Sequence, residues 1–176
     1  MEFYDVINAR YSSRAYRKQA VPEDALQRIL EAFATAPTTA NRQALGLVVI
    51  ETAGREDELK RINSAVWFHS QAPLLLAACS IPGKTWKRED GETFADVDVA
   101  IAMDHLILAA ANEGLGTCWI GAFTPEEVKA VCALPTTAEV VACAPLGVPD
   151  ASPAARPRKE WDEVFSGEVF GEGLKL

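Results

Sequence analysis

Apolar side chains at Phe3, Val6 and Ile7 fall at helical spacing and predict a short opening helix that runs out near Arg10. Leu26, Ile29, Leu30 and Phe33 mark a second amphipathic helix, with Pro22 suited to its first turn and Pro37 beyond its end. Residues 36–44 read as a loop. Leu45 to Glu51 and Leu74 to Cys79 are short β-leaning apolar runs expected to be buried strands, with a charged helix over Glu56 to Ile62 between them. Ile81 to Gly91 reads as an exposed loop. From about Phe94 to Glu113 the chain is apolar nearly all round and stops at Gly114, which predicts a long helix needing burial against more than one layer, for instance in a dimer. Thr117 to Ala122 is a predicted third strand, Thr124-Pro125-Glu126-Glu127 a predicted capping box opening another helix, and Glu139 to Gly147 a fourth strand. Trp161 to Phe165 gives one more apolar helical turn before a Gly-rich charged tail, expected to lie across a partner subunit. Helices alternating with strands in one chain make an α+β or α/β sandwich the default.

The length of 176 residues and 49% hydrophobic content suit one domain with one sizeable core. A formal charge of −8 repels phosphate backbones and anionic lipid surfaces, so neither nucleic acid nor membrane is an expected partner. The charged N-terminal stretch is not signal-peptide-like, and Asp96, Asp98, Asp104, His105, Asn112 and Glu113 interrupt the longest apolar stretch, as a membrane span would rarely tolerate. Cys79, Cys118, Cys132 and Cys143 stand singly in apolar surroundings, without the close pairs of a zinc knuckle or redox dithiol. A cytoplasmic protein with reduced core thiols is the expectation.

Four segments carry candidate chemistry. In Arg10-Tyr11-Ser12-Ser13-Arg14, two guanidinium groups with hydroxyls between them can hold a phosphate or an anionic ring edge, or simply form a solvated helix end. Ala36-Pro37-Thr38-Thr39-Ala40-Asn41-Arg42-Gln43 offers amides that suit a heterocycle edge or ribityl hydroxyls, or is an ordinary self-capping turn. In Gly114 to Ala122, glycines permit close backbone approach and a main-chain N–H aimed at a flat ring, or they mark a helix stop before a core strand. The third glycine of a dinucleotide fingerprint is missing. Arg156-Pro157-Arg158-Lys159 is an anion site if folded over one, and otherwise a solvated linker. His69 and His105 have no ligand-spaced carboxylate or thiol, which leaves no metal site, and no Gly-x-Ser-x-Gly nucleophile elbow occurs.

In this order the segments resemble the nitroreductase family of FMN enzymes. Arg10 to Arg14 is similar to its Arg-x-Ser-x-Arg opening, and Pro37 to Gln43 to its Pro-Ser-x-x-Asn-x-Gln loop. Gly114 to Phe123 resembles its segment beside the flavin, and Leu146 to Pro149 leading to Arg156 and Arg158 resembles its closing basic segment. The resemblance implies an α+β sandwich with a central mixed sheet, an intertwined homodimer, and two FMN sites each built from both chains. By the same resemblance Arg10, Ser12, Arg156 and Arg158 hold the phosphate and ribityl end, and Arg14 lies nearer N1 and O2. Thr38, Thr39 and Asn41 come from the partner, with Gln43 and Trp119 also at the cofactor. A backbone N–H of Ile120 or Gly121 meets N5 or O4.

The implied reaction is ping-pong hydride transfer from NADH or NADPH through flavin N5 to a small electron-poor acceptor such as a nitroaromatic or quinone. No side chain serves as nucleophile or acid–base group. Two alternatives stay open: a flavin enzyme of the same fold running dehydrogenation, dehalogenation or flavin breakdown, and a non-catalytic flavin-binding redox protein. The family's Pro-Trp after the loop Gln is replaced by Ala44-Leu45, and the helical lid of larger members is reduced to about Ile81 to Thr93.

Overall fold

A computed structural model describes residues 1–153 and 156–175. Four strands form one sheet in the order β1 (Leu45–Glu51), β2 (Leu74–Ser80), β4 (Glu139–Gly147), β3 (Gly116–Thr117). Every ladder between these strands is antiparallel, and a parallel pairing enters through the single bridge Ser12–Thr117. Side chains alternate across the pleat, so the inner strands need two apolar faces. Leu76 and Ala78 of β2, with Ala142, Ala144 and Leu146 of β4, pack on α2 (Glu23–Ala34) and α4 (Ala95–Asn112) through Ile29, Phe33, Val99, Met103 and Leu106. Leu75, Ala77 and Cys143 face the other way, onto Leu59 and Ile62 of α3 (Glu56–Ile62), Phe68, and Val128 of α5 (Pro125–Val131). Each fully buried large side chain of this set contributes roughly 1.5–3 kcal/mol.

The predicted helices α2, α3 and α4, and strand β4, lie within a residue or two of their expected bounds, and α1 spans Phe3–Ala9. Helix α4 stops as the sequence indicates. Gly114 takes φ 74°, its N–H reaches Ala111 O, and the Leu115 N–H reaches Ala110 O, which satisfies carbonyls left over at the helix end.

Three expectations need correction. β1 is a half-buried edge strand, with Val49 37% exposed, because only β2 covers it. The third strand is two residues long. Beyond Thr117 the antiparallel register with β4 resumes only at the Ile120–Cys143 bridge, and Trp119 turns outward, 38% exposed. Thr124 precedes Pro125 at the start of α5 but makes no side-chain cap, whereas a capping box does form at Glu160 and Glu163 around α6 (Trp161–Val164).

α2 is tied to the end of α4 by a fork from Arg28, whose Nε and Nη2 donate to Glu113 at 3.0 and 2.7 Å. The guanidinium holds the Glu113 carboxyl below its ordinary value of 4.5. A lowered folded-state value contributes stability that is present above the ordinary value and is lost as pH falls through the lowered one. Thermal melts of wild type and Glu113→Gln from pH 7 to pH 3 are therefore expected to differ near neutrality and converge in acid. A gap that stays constant across that range would show the ion pair to be idle.

Candidate functional site

The segment after α1 is stitched to two distant parts of the chain. The Ser13 N–H donates to Thr117 O at 2.9 Å, the Arg17 N–H to Val148 O at 2.9 Å, and the Asp150 N–H to Ala15 O at 2.9 Å. The Tyr11 hydroxyl donates to Ala151 O at 2.6 Å, and the buried Tyr16 hydroxyl to Ser13 O at 2.8 Å. Burial pushes the Tyr16 phenol well above its usual range, so it remains a donor.

Two glycines make this crossing possible. A Cβ on Gly116 would stand 2.8 Å from Ser13 Cβ and 3.1 Å from Pro149 Cβ, and one on Gly147 would stand 2.6 Å from Pro73 Cδ and 3.2 Å from the Tyr16 ring. Close approach of backbone, anticipated for the glycines around β3, is thus used at Gly116 to bring the opening motif against the strand ends.

The result is one cleft of about 750 Å³ lined by Ile7, Asn8, Arg10, Tyr11, Ser12, Arg14, Pro153, Arg156 and Arg158. Segments separated by some 140 residues of sequence converge there. Arg17, Arg28, Arg55, Arg61 and Arg88 each pair with a carboxylate, but Arg10, Arg14, Arg156 and Arg158 have no ion-pair partner among the described residues. In a chain of net charge −8, such a concentration of uncompensated guanidinium groups is an electrostatic trap for an anion. Arg14 also lies over the indole of Trp67, 6.0 Å from guanidinium carbon to ring centroid. Trp67 begins a π-helical turn, Trp67–Gln71, and was not singled out from the sequence because a lone tryptophan between a helix and a strand reads as core. It supplies an aromatic face beside the cleft although Ala44-Leu45 stands where the loop's aromatic is expected.

Ile120 and Gly121 differ in what they can still offer. The Ile120 N–H donates to Cys143 O at 2.8 Å, whereas Gly121 is exposed, and a Cβ there would meet nothing within 4 Å. The main-chain donor available to a ligand in this pair is therefore that of Gly121. Burial raises the thiols, Cys143 to about 12 and Cys132 to about 11, with Cys118 and Cys79 also moved upward, and all four cysteines are free. They are poor nucleophiles near neutral pH.

The 38–43 loop stands apart. No residue of it lines the arginine cleft of the same chain, and Thr38 and Gln43 instead line an apolar groove of about 400 Å³ with Leu30, Phe33, Leu45, Leu47 and Val49. Ala40, Asn41 and Gln43 have φ of 50°, 53° and 50°, left-handed values that cost L-residues roughly 1–2 kcal/mol each. Bonds within the loop hold them: the Gln43 N–H donates to Thr38 Oγ1 at 3.0 Å, and Gln43 Nε2 to Asn41 Oδ1 at 3.1 Å. A further anchor comes from outside. Asp98 of α4, 1% exposed, accepts the Thr39 N–H and the Thr39 hydroxyl on Oδ1, both at 2.8 Å. Sequence reading used Asp98 only as a charge that breaks an apolar run. A carboxylate on the inner face of such a helix needs a donor, and that was the signal available.

Helices α2 and α4 on one face of an antiparallel sheet, with a cationic cleft beside the opening segment, define an α+β protein with a site suited to an anion. The chain belongs to the nitroreductase family, whose sequence profile matches residues 7–82 and 68–148. A nitroreductase family protein from Clostridium difficile 630 superposes with a TM-score of 0.88 at 28% identity, over 96% of this chain and 99% of the other. The FMN reductase (NAD(P)H) of Bacillus subtilis strain 168 is 25% identical, over 90% of this chain and 70% of its own. A nitroreductase from Desulfovibrio desulfuricans, solved in complex with FMN, shares the fold with a TM-score of 0.79 at 23% identity, over 97% of this chain and 98% of the other. Among the described residues no helix is long and apolar enough to cross a membrane, and no His, Cys, Asp and Glu cluster could hold a metal ion.

Proposed function

We propose that two copies of this chain bind FMN in the arginine cleft and use it to reduce a small electron-poor acceptor, a nitroaromatic, a quinone or similar, with NADH or NADPH as donor. The observation that carries the reading is the meeting of Arg10, Arg14, Arg156 and Arg158 in one cleft, none neutralised by a carboxylate among the described residues. These donors fit the cofactor. A phosphate monoester is close to dianionic at neutral pH and offers acceptor oxygens to forked guanidinium groups. When bound, FMN would supply the two-electron hydride chemistry between nicotinamide and acceptor.

The chain's own work is to hold and to tune. Arg10, Arg156 and Arg158, with Ser12, grip the phosphate and ribityl end. Arg14, at the Trp67 side, presents fixed positive charge to the electron-rich edge of the ring, which favours its reduced form. The exposed Gly121 N–H, flanked by Ile120 and the outward-facing Trp119, is the main-chain donor offered to the ring. Loop residues Thr38, Thr39, Asn41 and Gln43 lie outside the same chain's cleft, which supports their reaching the cofactor of the partner copy. The apolar groove beside them, and the exposed Trp161, Phe165 and Phe170 of the arm at 160–175, supply the surface that a partner would cover.

FMN titration followed by anaerobic addition of NADH or NADPH tests this. The expected result is a yellow dimer whose flavin absorbance bleaches with at least one donor and returns with a quinone. A protein that binds FMN but does not bleach with either donor would remove the reductase reading, and a colourless monomer would remove the cofactor as well.

A further inference from the structure

A buried carboxylate without an evident task sits behind the 38–43 loop. Asp98 is covered by α4 and its neighbours, its Oδ1 takes both the N–H and the hydroxyl of Thr39, and its Oδ2 is buried with no donor among the described residues. Leaving half a carboxylate dry and unpaired is costly, and native structures rarely do so without a return elsewhere. The loop it grips is itself strained, with left-handed backbone at Ala40, Asn41 and Gln43 and no glycine to ease any of them. Hydrogen bonds inside the loop link 38 to 43 and 41 to 43, but they do not fasten it to the rest of the fold. Among the described residues, the only side-chain bonds from loop residues 38–43 to the body are those to Asp98.

We infer that Asp98 is a positioning residue, whose buried carboxylate locks the left-handed turn after Thr39 so that the side chains of Asn41 and Gln43 are presented toward the cofactor of a neighbouring copy. The inference rests on the proposed flavin function, since it is the flavin that gives the presentation its use. It adds a residue in the first turn of α4, outside all four sequence motifs. The chemistry asked of the side chain is that of an acceptor at Oδ1, so Asp98→Asn retains the role and Asp98→Ala abolishes it. The Thr39 hydroxyl and Asp98 act through one contact, so their substitutions are expected not to add.

FMN dissociation constants and amide exchange of the 38–43 segment, measured on the full-length dimer below its melting range, test the proposal. Asp98→Ala is expected to weaken FMN binding roughly tenfold and to accelerate exchange in the loop, while Asp98→Asn stays within about threefold of wild type on both readouts. Thr39→Val is expected to fall between them, and the Thr39→Val, Asp98→Ala pair to be no worse than Asp98→Ala alone. A role confined to stability would lower the melting temperature of Asp98→Ala and leave FMN affinity unchanged, and that outcome overturns the proposal. If Asp98→Ala does not fold, Thr39→Val decides, and unaltered affinity and exchange there overturn it equally. Wild-type protein that fails to bind FMN at all would instead bring down the flavin reading, and this inference with it, a result the wild-type control separates from the others.

Discussion

Gly116→Ala is expected to strip the protein of tight FMN binding while leaving the sheet itself in place. The added methyl would stand 2.8 Å from Ser13 Cβ, 3.0 Å from Ser13 Oγ and 3.1 Å from Pro149 Cβ, so the segment carrying Arg10 and Arg14 and the segment leading to Arg156 must separate. Overpacking of this kind costs about 1–3 kcal/mol of stability. The larger loss falls on the ligand, because charge-assisted hydrogen bonds worth about 1.5–3 kcal/mol each depend on guanidinium groups from both segments meeting at one anion. A drop in FMN affinity of roughly a hundredfold, with a melting temperature lowered by several degrees, is the expected pair of results from titration and calorimetry. Gly83→Ala is the control, since nothing lies within 4 Å of its added carbon. FMN affinity that survives Gly116→Ala intact would mean that the cleft does not depend on this crossing.

The second large effect is expected at Arg14 and concerns rate more than retention. Arg14 is one cation of several around the cleft, so its removal leaves Arg10, Arg156 and Arg158 to hold the phosphate, and Arg14→Ala should weaken FMN binding by less than about tenfold. It is, however, the cleft arginine placed over Trp67. If its charge faces the ring edge where negative charge grows, its loss should slow flavin reduction by NAD(P)H about a hundredfold, the scale seen when a preorganised donor is removed from a developing anion. Arg14→Lys, which keeps charge but not the planar stack on the indole, should lie between. Stopped-flow reduction under anaerobic conditions reads this directly, and unchanged kinetics in Arg14→Ala would place the residue away from the ring.

Much of the architecture was legible because it depends on local periodicity. The i, i+3, i+4 pattern of Leu26, Ile29, Leu30 and Phe33 located α2, and the uninterrupted apolar run of β2 announced a buried strand, whereas the same reading of β1 failed because that strand lies at the sheet edge. The errors lie where tertiary contact overrides local preference. Thr117 to Ala122 reads as a strand, yet its pairing with β4 lapses between Thr117 and Ile120, and the exposed Trp119 lies in that gap. Thr124 has the sequence of a cap but makes no capping bond, and its N–H reaches Ile62 O. Of the candidate site, the residue types were readable and their assembly was not. That Arg156 and Arg158 fold back onto Arg10 depends on the Tyr11, Tyr16 and Arg17 contacts with residues 148–151, which no local pattern encodes. Trp67 and Asp98 were overlooked for the same reason, since each gains its meaning only from a neighbour far away in the chain.

The uncompensated arginines also shape how the protein behaves in a test tube. Like charges gathered in a half-enclosed space repel one another, so any small multivalent anion that settles among them favours the folded chain over the unfolded one. Phosphate or sulfate buffers would thus act as weak surrogate ligands, raising the melting point while competing with the cofactor for the same guanidinium groups. Purification and storage in such salts would trade flavin content for thermal robustness, and dissociation constants for FMN would carry the imprint of the buffer in which they were taken.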